Sequence, residues 1–258
     1  MCTLGIGFFP QTPVPLMIGS NRDENPKRPS DDWYLRWEKT IFSPLDVRKG
    51  TWIGVNTFGI FCAITNWDII NDDKLHGMTS RGTVVINTLK LQNIHEIYNY
   101  WNSLSAKDYK PFNIIAASND FLILLSCDHK NINIKRLHAG FHILTGLGYN
   151  TNCKRELYLR NCVTTNRHSG LDPGAKIFSP QINKILIQEL SAHNDGAGSE
   201  DSICVHDDEH KWETVSSAVI SLHVPSVQRP KGWWDIQQIN CKPCFVNHHK
   251  WIKHEIML

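Results

Sequence analysis

The sequence predicts an α+β fold in a single domain. Segments with strand-like and helix-like hydrophobic patterns follow one another in blocks, in the order strands, helices, strands, helices and strands. This order differs from the strict alternation of strands and helices in a doubly wound parallel sheet. The 258 residues suffice for one large domain, and no internal repeat or low-complexity segment divides them. We therefore expect one domain over residues 1–258, with a loosely packed C-terminal tail at 241–258.

Two hairpins are predicted in the first quarter of the chain. Their apolar runs cover residues 2–8 and 16–20 in the first hairpin, and 51–55 and 60–65 in the second. The first hairpin turns at prolines and brings Cys2 beside the polar segment 21–24. The second turns at Gly59, which suits a left-handed backbone conformation, and its last strand ends at Asn66.

Two helices and a meander of strands follow. The apolar spacing has helical period between residues 83 and 104, with an interruption near Asn93. Four apolar runs separated by turn residues then predict consecutive strands at 112–117, 121–127, 132–137 and 141–144. The rest of the chain predicts helices at 153–162 and 181–191 and strands near 203, at 215–222 and at 234–239.

Composition and charge exclude several classes of function. Lys and Arg number 27 against 25 Asp and Glu, so the net charge of +2 disfavours a nucleic-acid partner. No apolar run approaches the ~18 residues of a membrane span, and we expect no transmembrane segment. The first basic residue is Arg22, which predicts no secretory signal and a cytoplasmic location. The eight cysteines lie mostly in apolar runs, which favours buried thiols in a reducing compartment.

Five short blocks carry a resemblance to a known family. They are Met1-Cys2-Thr3, Asn21-Arg22-Asp23-Glu24, Gly50-Thr51-Trp52-Ile53-Gly54-Val55-Asn56, Ala63-Ile64-Thr65-Asn66 and Ser80-Arg81-Gly82. In this order and spacing they resemble the NRDE family, also called the Transport and Golgi organisation protein 2 family. The resemblance implies the fold of an N-terminal-nucleophile hydrolase, a four-layer αββα sandwich in which two antiparallel sheets lie between helical layers.

Cys2 is a candidate nucleophile. Removal of Met1 would place a free α-amine and a thiol on the same residue, and these groups titrate near ~7.7–8.0 and ~8.5. Asp23 could then orient the amine, and Asn66 could donate an N–H to an oxyanion. Both positions fit the pattern of the cholylglycine and penicillin V acylase branch of the fold. The alternative is that Cys2 is a small apolar residue at the start of a strand.

The second block has two interpretations. By itself it is a polar turn in which Asn and Asp bond their own backbone and Arg22 pairs with a nearby acid. The resemblance instead implies that Asn21, Arg22, Asp23 and Glu24 bind a ligand. Arg22 and Arg81 would then form a pair of donors to a carboxylate or phosphate.

The chain departs from the family pattern in two places. Where the family carries a Ser-Asn pair, the chain has Leu144-Thr145-Gly146, so that the second oxyanion asparagine is missing or replaced by Asn150 or Asn152. The family's Gly-Thr-Arg-Ser block is Glu213-Thr214-Val215-Ser216 here and lacks the arginine. Loss of one oxyanion donor typically lowers a rate ~10²–10³-fold, which favours a binding protein on a hydrolase scaffold.

Two functions of different classes follow from the resemblance. The favoured one is haem binding and trafficking, in which Arg side chains meet the propionates and a His or the Cys2 thiolate meets the iron of this small amphipathic ligand. The alternative is a Cys2-dependent hydrolase of amide or thioester bonds, with an acyl-CoA or acyl-amide substrate. The sequence leaves the oligomeric state open.

The C-terminal tail holds the densest group of residue types that bind metals. Cys241 and Cys244 precede His248 and His249. A single CxxC pair without a partner pair is a weak indication of zinc, and we predict no structural metal.

Overall fold

Two antiparallel β-sheets stacked face to face form the centre of the protein. The computed structural model describes residues 2–67, 78–164, 190, 203–207, 212–240 and 251–258. Within these ranges the strands are β1 (Cys2–Phe8), β2 (Leu16–Glu24), β3 (Tyr34–Arg36), β4 (Ile41–Ser43), β5 (Ile53–Asn56), β6 (Phe61–Asn66), β7 (Phe112–Ala117), β8 (Leu122–Cys127), β9 (Ile132–Arg136), β10 (Gly140–Thr145), β11 (Gly148–Tyr149), β12 (His206–Asp207), β13 (Trp212–His223), β14 (Trp233–Ile239) and β15 (Ile252–Met257). The helices are α1 (Arg81–Leu89), α2 (Ile94–Asn102) and α3 (Lys154–Thr164).

The first sheet has the strand order β11-β10-β1-β2-β13-β14-β15, with β12 beside β13. The second sheet has the order β3-β4-β5-β6-β7-β8-β9. The facing sides of the two sheets share one apolar core, because alternate residues of each strand point to the same side. In β1 and β2 these are the even-numbered residues, among them Leu4, Ile6, Leu16 and Ile18.

The helices cover the outer faces of both sheets. Helices α1 and α2 bury Val85, Leu89 and Trp101 against the second sheet, and α3 buries Leu159 against Ile143 of β10. Asn93 interrupts the first helical segment because its side chain caps α2, accepting a hydrogen bond from the Glu96 N–H at 3.0 Å. The four-layer αββα sandwich expected from the sequence is confirmed.

Both predicted hairpins are present. Strands β1 and β2 pair with Cys2 opposite Arg22, and β5 pairs with β6 through a turn in which Gly59 has a φ of 82°. This φ lies in the left-handed region that glycine adopts without strain.

The structure corrects the predicted meander and the predicted tail. Strands β7, β8 and β9 are consecutive neighbours, but β10 leaves the second sheet and pairs with β1 in the first. Two short strands, β3 and β4, lie between the two predicted hairpins, where no strand was predicted. Residues 252–257 are not loosely packed, because their backbone pairs with β14 along the whole of β15. The predicted helix at 181–191 lies outside the described residues, apart from position 190.

No helix in the described ranges has the length and apolar character needed to cross a membrane.

Candidate functional site

A cavity of about 410 Å³ gathers most of the side chains singled out from the sequence. It lies where the start of β1 and the end of β2 approach the end of β6 and the beginning of α1. Its described lining consists of Cys2, Arg22, Asp23, Glu24, Arg28, Asp46, Arg48, Thr51, Trp52, Ile64, Asn66, Met78, Thr79, Ser80, Arg81, Gly82 and Lys110. All the site residues predicted from the sequence are present except Asn21.

Arg22 is held rigidly at the wall of this cavity. It is only 4% exposed, and its guanidinium carbon lies 4.2 Å from the centroid of the Trp52 ring, a cation–π contact. Its Nη1 donates to the Arg28 carbonyl at 3.3 Å, and its Nη2 lies 3.7 Å from a Glu24 carboxylate oxygen. Burial lowers the pKa of Arg22, although the neighbouring Cys2 and Glu24 act in the opposite direction. Its position is therefore fixed before any ligand binds.

The surroundings of the Cys2 thiol favour its protonated form, because they raise its pKa. Cys2 is half-buried, and its burial raises the pKa of the thiol above the ordinary value of 9.0. The charge of the α-ammonium group at position 1 lowers this pKa, the Asp23 charge raises it, and the Arg22 guanidinium lowers it, but burial has the largest effect. The described lining contains no histidine that could take the thiol proton. A nucleophilic role for Cys2 therefore needs another base.

Asp23 is anchored on the α3 side of the first sheet. Its Oδ2 accepts a hydrogen bond from Arg155 Nη1 at 2.6 Å, and its Oδ1 accepts one from Thr214 Oγ1 at 2.7 Å. Arg155 Nη1 also donates to Thr3 Oγ1 at 3.0 Å. All four side chains are buried, so the ion pair is desolvated and its geometry is fixed.

Arg155 and Thr214 were not predicted as site residues from the sequence. Thr214 lies in the block Glu213-Thr214-Val215-Ser216, which departs from the family pattern but keeps its threonine. That threonine was the one indication in the sequence that this position belongs to the site. Arg155 lies 132 residues from Asp23 and no motif marked it.

Asn21 is not part of the described lining of the cavity, and its side chain bonds elsewhere. Its Nδ2 donates to the carbonyls of Leu190 at 2.9 Å and Ile203 at 2.8 Å. Its Oδ1 accepts from Ser217 Oγ at 2.6 Å. The Asn21 side chain, like that of Asp23, points to the α3 side of β2, and its three bonds tie the outer face of the sheet to neighbouring segments.

A chain of ion pairs forms one side of the cavity. Arg28 bridges two acids, with its Nη1 2.9 Å from Glu24 Oε2 and its Nη2 bonded to Asp46 Oδ2. The Asp46 side chain also accepts from the Arg48 backbone N–H at 2.8 Å. These contacts hold Glu24 in the wall of the cavity. The sequence patterns did not indicate that Arg28 or Asp46 belongs to the site.

The opposite side is built by the end of β6 and the start of α1. Asn66 is the last residue of β6 and lines the cavity. Arg81, the first residue of α1, donates from Nη1 to the Pro111 carbonyl at 2.9 Å. Helix α1 approaches closely because Gly82 packs on Gly50, where an added Cβ at Gly82 would lie 3.1 Å from the Gly50 Cα.

Positive charge exceeds negative charge in the described lining. The cationic side chains are those of Arg22, Arg28, Arg48, Arg81 and Lys110, and the acidic ones are those of Asp23, Glu24 and Asp46. Asp23 is additionally neutralised by Arg155, which does not line the cavity. The cavity therefore suits a ligand that carries negative charge.

Neither candidate for the second oxyanion asparagine reaches the described lining. Asn150 accepts from Arg160 Nη2 at 3.3 Å, and the Asn152 backbone N–H donates to Glu156 Oε2 at 3.0 Å. Both residues have a positive φ, 55° and 56°. Asn66 is thus the asparagine that the described part of the chain offers to an oxyanion there.

The described residues contain no cluster of three or more His, Cys, Asp or Glu side chains arranged to hold a metal ion. Residues 241, 244, 248 and 249 of the tail lie outside the described ranges.

Comparisons with known proteins agree with this architecture. The family model described as Transport and Golgi organisation 2 matches residues 1–224. Among curated proteins, none matches the sequence significantly. The structure is similar to that of a Caenorhabditis elegans ortholog of N-acylethanolamine-hydrolyzing acid amidase, with a TM-score of 0.54, 13% identity, and coverage of 84% of this chain and 92% of that chain. This likeness shows the fold of N-terminal-nucleophile hydrolases.

Two bacterial enzymes give weaker structural matches. Penicillin V acylase from Agrobacterium tumefaciens matches with a TM-score of 0.45 and 9% identity, over 93% of this chain and 91% of that chain. A variant of conjugated bile acid hydrolase from Clostridium perfringens matches with a TM-score of 0.45 and 11% identity, over 99% of this chain and 98% of that chain.

Proposed function

The chain belongs to the Transport and Golgi organisation 2 family, and from this premise we propose that it hydrolyses an amide or thioester bond of a small amphipathic acyl compound that carries an anionic group. The observation that supports the proposal is that Cys2, Asp23 and Asn66 line one cavity together with Arg22 and Arg81. A nucleophile, an oxyanion donor and cations for the substrate's charge therefore lie within reach of one bound molecule.

In the proposed reaction the α-amine of Cys2 is the base that takes the thiol proton, because the described lining contains no histidine. This requires a mature chain that begins at Cys2. The amine takes the thiol proton, and the thiolate attacks the acyl carbon, whose carbonyl electrons move to the oxygen. Asn66 donates an N–H to this oxyanion. Asp23, held by Arg155 and Thr214, orients the ammonium group.

The first oxyanion collapses to an acyl-enzyme, which water then hydrolyses. The ammonium returns its proton to the leaving nitrogen or sulfur as the C–N or C–S bond breaks, and the acyl group remains on Cys2 as a thioester. The amine then deprotonates a water molecule that attacks this thioester. The second oxyanion collapses, the Cys2 sulfur leaves and regains its proton, and a carboxylic acid is released.

Haem binding is a second candidate, because the excess of cations in the described lining suits the two propionates of haem. The iron and the porphyrin ring of haem fit the cavity less well. Of the usual iron ligands, the described lining offers only the protonated Cys2 thiol and the Met78 thioether. Trp52, Ile64 and Met78 provide little apolar wall for a porphyrin ring. We therefore place an acyl substrate before haem.

The test uses one matched set of probes and two variants. S-Octanoyl thioglycolate and N-octanoylglycine carry a carboxylate, and their methyl esters are neutral controls. We expect the native protein to hydrolyse at least one acid faster than its ester, and Cys2→Ala to lower turnover at least about 10³-fold. Cys153→Ala is the control, since Cys153 is a half-buried thiol outside the described lining. Far-ultraviolet circular dichroism confirms that both variants fold.

Intact-mass spectrometry of the reaction completes the test. A mature chain starting at Cys2, with an octanoyl adduct that is absent from Cys2→Ala, supports the hydrolase. No turnover by a chain that starts at Cys2 contradicts it. A Soret shift at stoichiometric haem, lost in Arg22→Leu but kept in Cys153→Ala, would favour haem binding instead.

A further inference from the structure

Both sheets end on the same side of the sandwich. Strand β15 is the last strand of the first sheet and β3 the last strand of the second. The rings of His254 in β15 and Phe42 in β4 lie 5.0 Å apart, and the Asn240 side chain donates to Asp32. The outer edges of β15 and β3 are thus adjacent. In the described part of the chain, no strand pairs with either outer edge.

These two edge strands carry a concentration of exposed apolar side chains. The structure describes nine large apolar side chains as exposed, and four of them lie on β3 and β15. They are Tyr34 (53%), Leu35 (44%), Ile252 (46%) and Met257 (43%). An open edge offers unpaired backbone N–H and C=O groups, and apolar side chains along it favour pairing with another strand. The position therefore has the character of an interface.

The charge pattern of β15 is complementary to itself. Lys253 and Glu255 are both exposed, and they flank His254. If two copies of β15 pair in antiparallel orientation about a two-fold axis at His254, Lys253 of each copy lies directly opposite Glu255 of the other. The same register places Ile252 opposite Ile256. Shifting the axis by one residue would instead put two Glu255 or two Lys253 side chains face to face, which is unfavourable.

Glu255 is already held in position to contact Lys253 of a second copy. Its Oε2 accepts from Arg229 Nη2 at 2.7 Å within the same chain, and a carboxylate has room for a second cationic partner. The Lys253 side chain forms no hydrogen bond or ion pair with the described residues. A second copy would thus supply the contact that Lys253 lacks.

We propose that the outer edge of β15 is the interface of a symmetric dimer of this chain, in which two β15 strands pair about His254 and join the first sheets of both copies into one continuous sheet. Such an interface is isologous, so that each contact occurs twice. The adjacent β3 edges, with Tyr34 and Leu35, extend the apolar contact. This inference is independent of the chemistry proposed at Cys2.

Sedimentation velocity of the full chain over a concentration series tests the proposal. We expect a monomer–dimer equilibrium in the native protein. Lys253→Glu places two glutamates opposite each other at both symmetric contacts, and Glu255→Lys places two lysines there. Each single variant should weaken the dimer about ten-fold or more, and high salt should reduce that difference. The double variant Lys253→Glu with Glu255→Lys restores opposite charges and should restore the dimer.

A matched control and the thermal midpoint separate this effect from misfolding. Lys49→Glu changes an exposed lysine that lies on neither edge strand and should leave the dimer unchanged. A native protein that stays monomeric at all concentrations overturns the proposal. A dimer that tolerates both single variants also overturns it, as does a double variant that folds but fails to recover the dimer.

Discussion

Cys2 and Arg22 lie directly opposite each other on β1 and β2, and both side chains line the same cavity. The pairing register that buries Leu4 and Ile18 between the sheets also places Cys2 beside Arg22. The even-numbered residues of β1 and β2 all point to the same face of the sheet. A slip of one residue would turn Cys2 toward α3 and away from Arg22. The packing of the apolar core therefore determines which residues meet in the site.

Cys2 should react slowly with neutral alkylating agents at neutral pH. Burial raises the pKa of its thiol above the ordinary value of 9.0, so the reactive thiolate is scarce. In the chain that begins at Met1, we expect the iodoacetamide rate at Cys2 to keep rising about ten-fold per pH unit beyond the pH at which the rate for free cysteine levels off. Peptide mass spectrometry follows the labelling.

The same measurement on the urea-unfolded chain is the reference for Cys2. Unfolding removes the burial, and the pH profile should return to that of an ordinary thiol. A native profile with a midpoint at or below that of free cysteine would show that the site activates the thiol without its own α-amine.

Removal of Arg155 should destabilise the protein strongly. Arg155→Met leaves the buried Asp23 carboxylate without its cation, and losses of this kind cost about 3–5 kcal/mol of unfolding free energy. Thr214→Val removes a single hydrogen-bonding hydroxyl from Asp23 and should cost about 1–3 kcal/mol. Urea unfolding measures both values.

Arg136→Met is the control for the Arg155 experiment. Arg136 is an exposed arginine that donates to the Asp120 carbonyl at 2.9 Å, and its loss should change stability by at most about 0.5 kcal/mol. Equal effects at positions 136 and 155 would mean that the Asp23 ion pair contributes little to the fold.

Two neighbouring cations should differ in their effect on ligand binding. Arg48 lines the cavity, whereas Lys49 is exposed and does not. Arg48→Ala should raise the KM for an anionic acyl probe about three- to ten-fold and flatten its salt dependence, because one attractive charge is lost. Lys49→Ala keeps the same net charge as Arg48→Ala and should leave KM unchanged. Equal shifts in both variants would point to a long-range effect of net charge.

Gly82→Ala should loosen the wall formed by α1. The added Cβ would lie 3.1 Å from Gly50 Cα, Thr51 N and Thr51 O, and these backbone atoms cannot move aside cheaply. We expect a cost of about 1–3 kcal/mol in place of the usual gain when a helix exchanges glycine for alanine. Asn87→Ala, on the exposed face of α1, is the control in thermal unfolding and should be close to neutral. A neutral Gly82→Ala would refute the close packing on Gly50.

Local patterns in the sequence predicted much of the fold. Strands β1 and β2, the helices α1 and α2, and β7 to β9 follow from periodicity and turn residues close in the chain. The sequence did not predict that β10 pairs with β1 and not with β9. That choice depends on contacts between residues more than a hundred positions apart. Strand β15 was not predicted for the same reason. Its strand structure depends on pairing with β14 and not on its own composition.

The sequence by itself determined the residue types of the site, the order of the elements and the family resemblance that linked Cys2, Asp23 and Asn66. Only the tertiary structure decided which side chains meet. It bonded the Asn21 side chain to Leu190, Ile203 and Ser217 outside the described lining of the cavity, and it brought Arg155 to Asp23 and the Trp52 ring to Arg22. Long-range packing makes these contacts, and a linear motif carries no information about which distant residue the closed sandwich will place beside it.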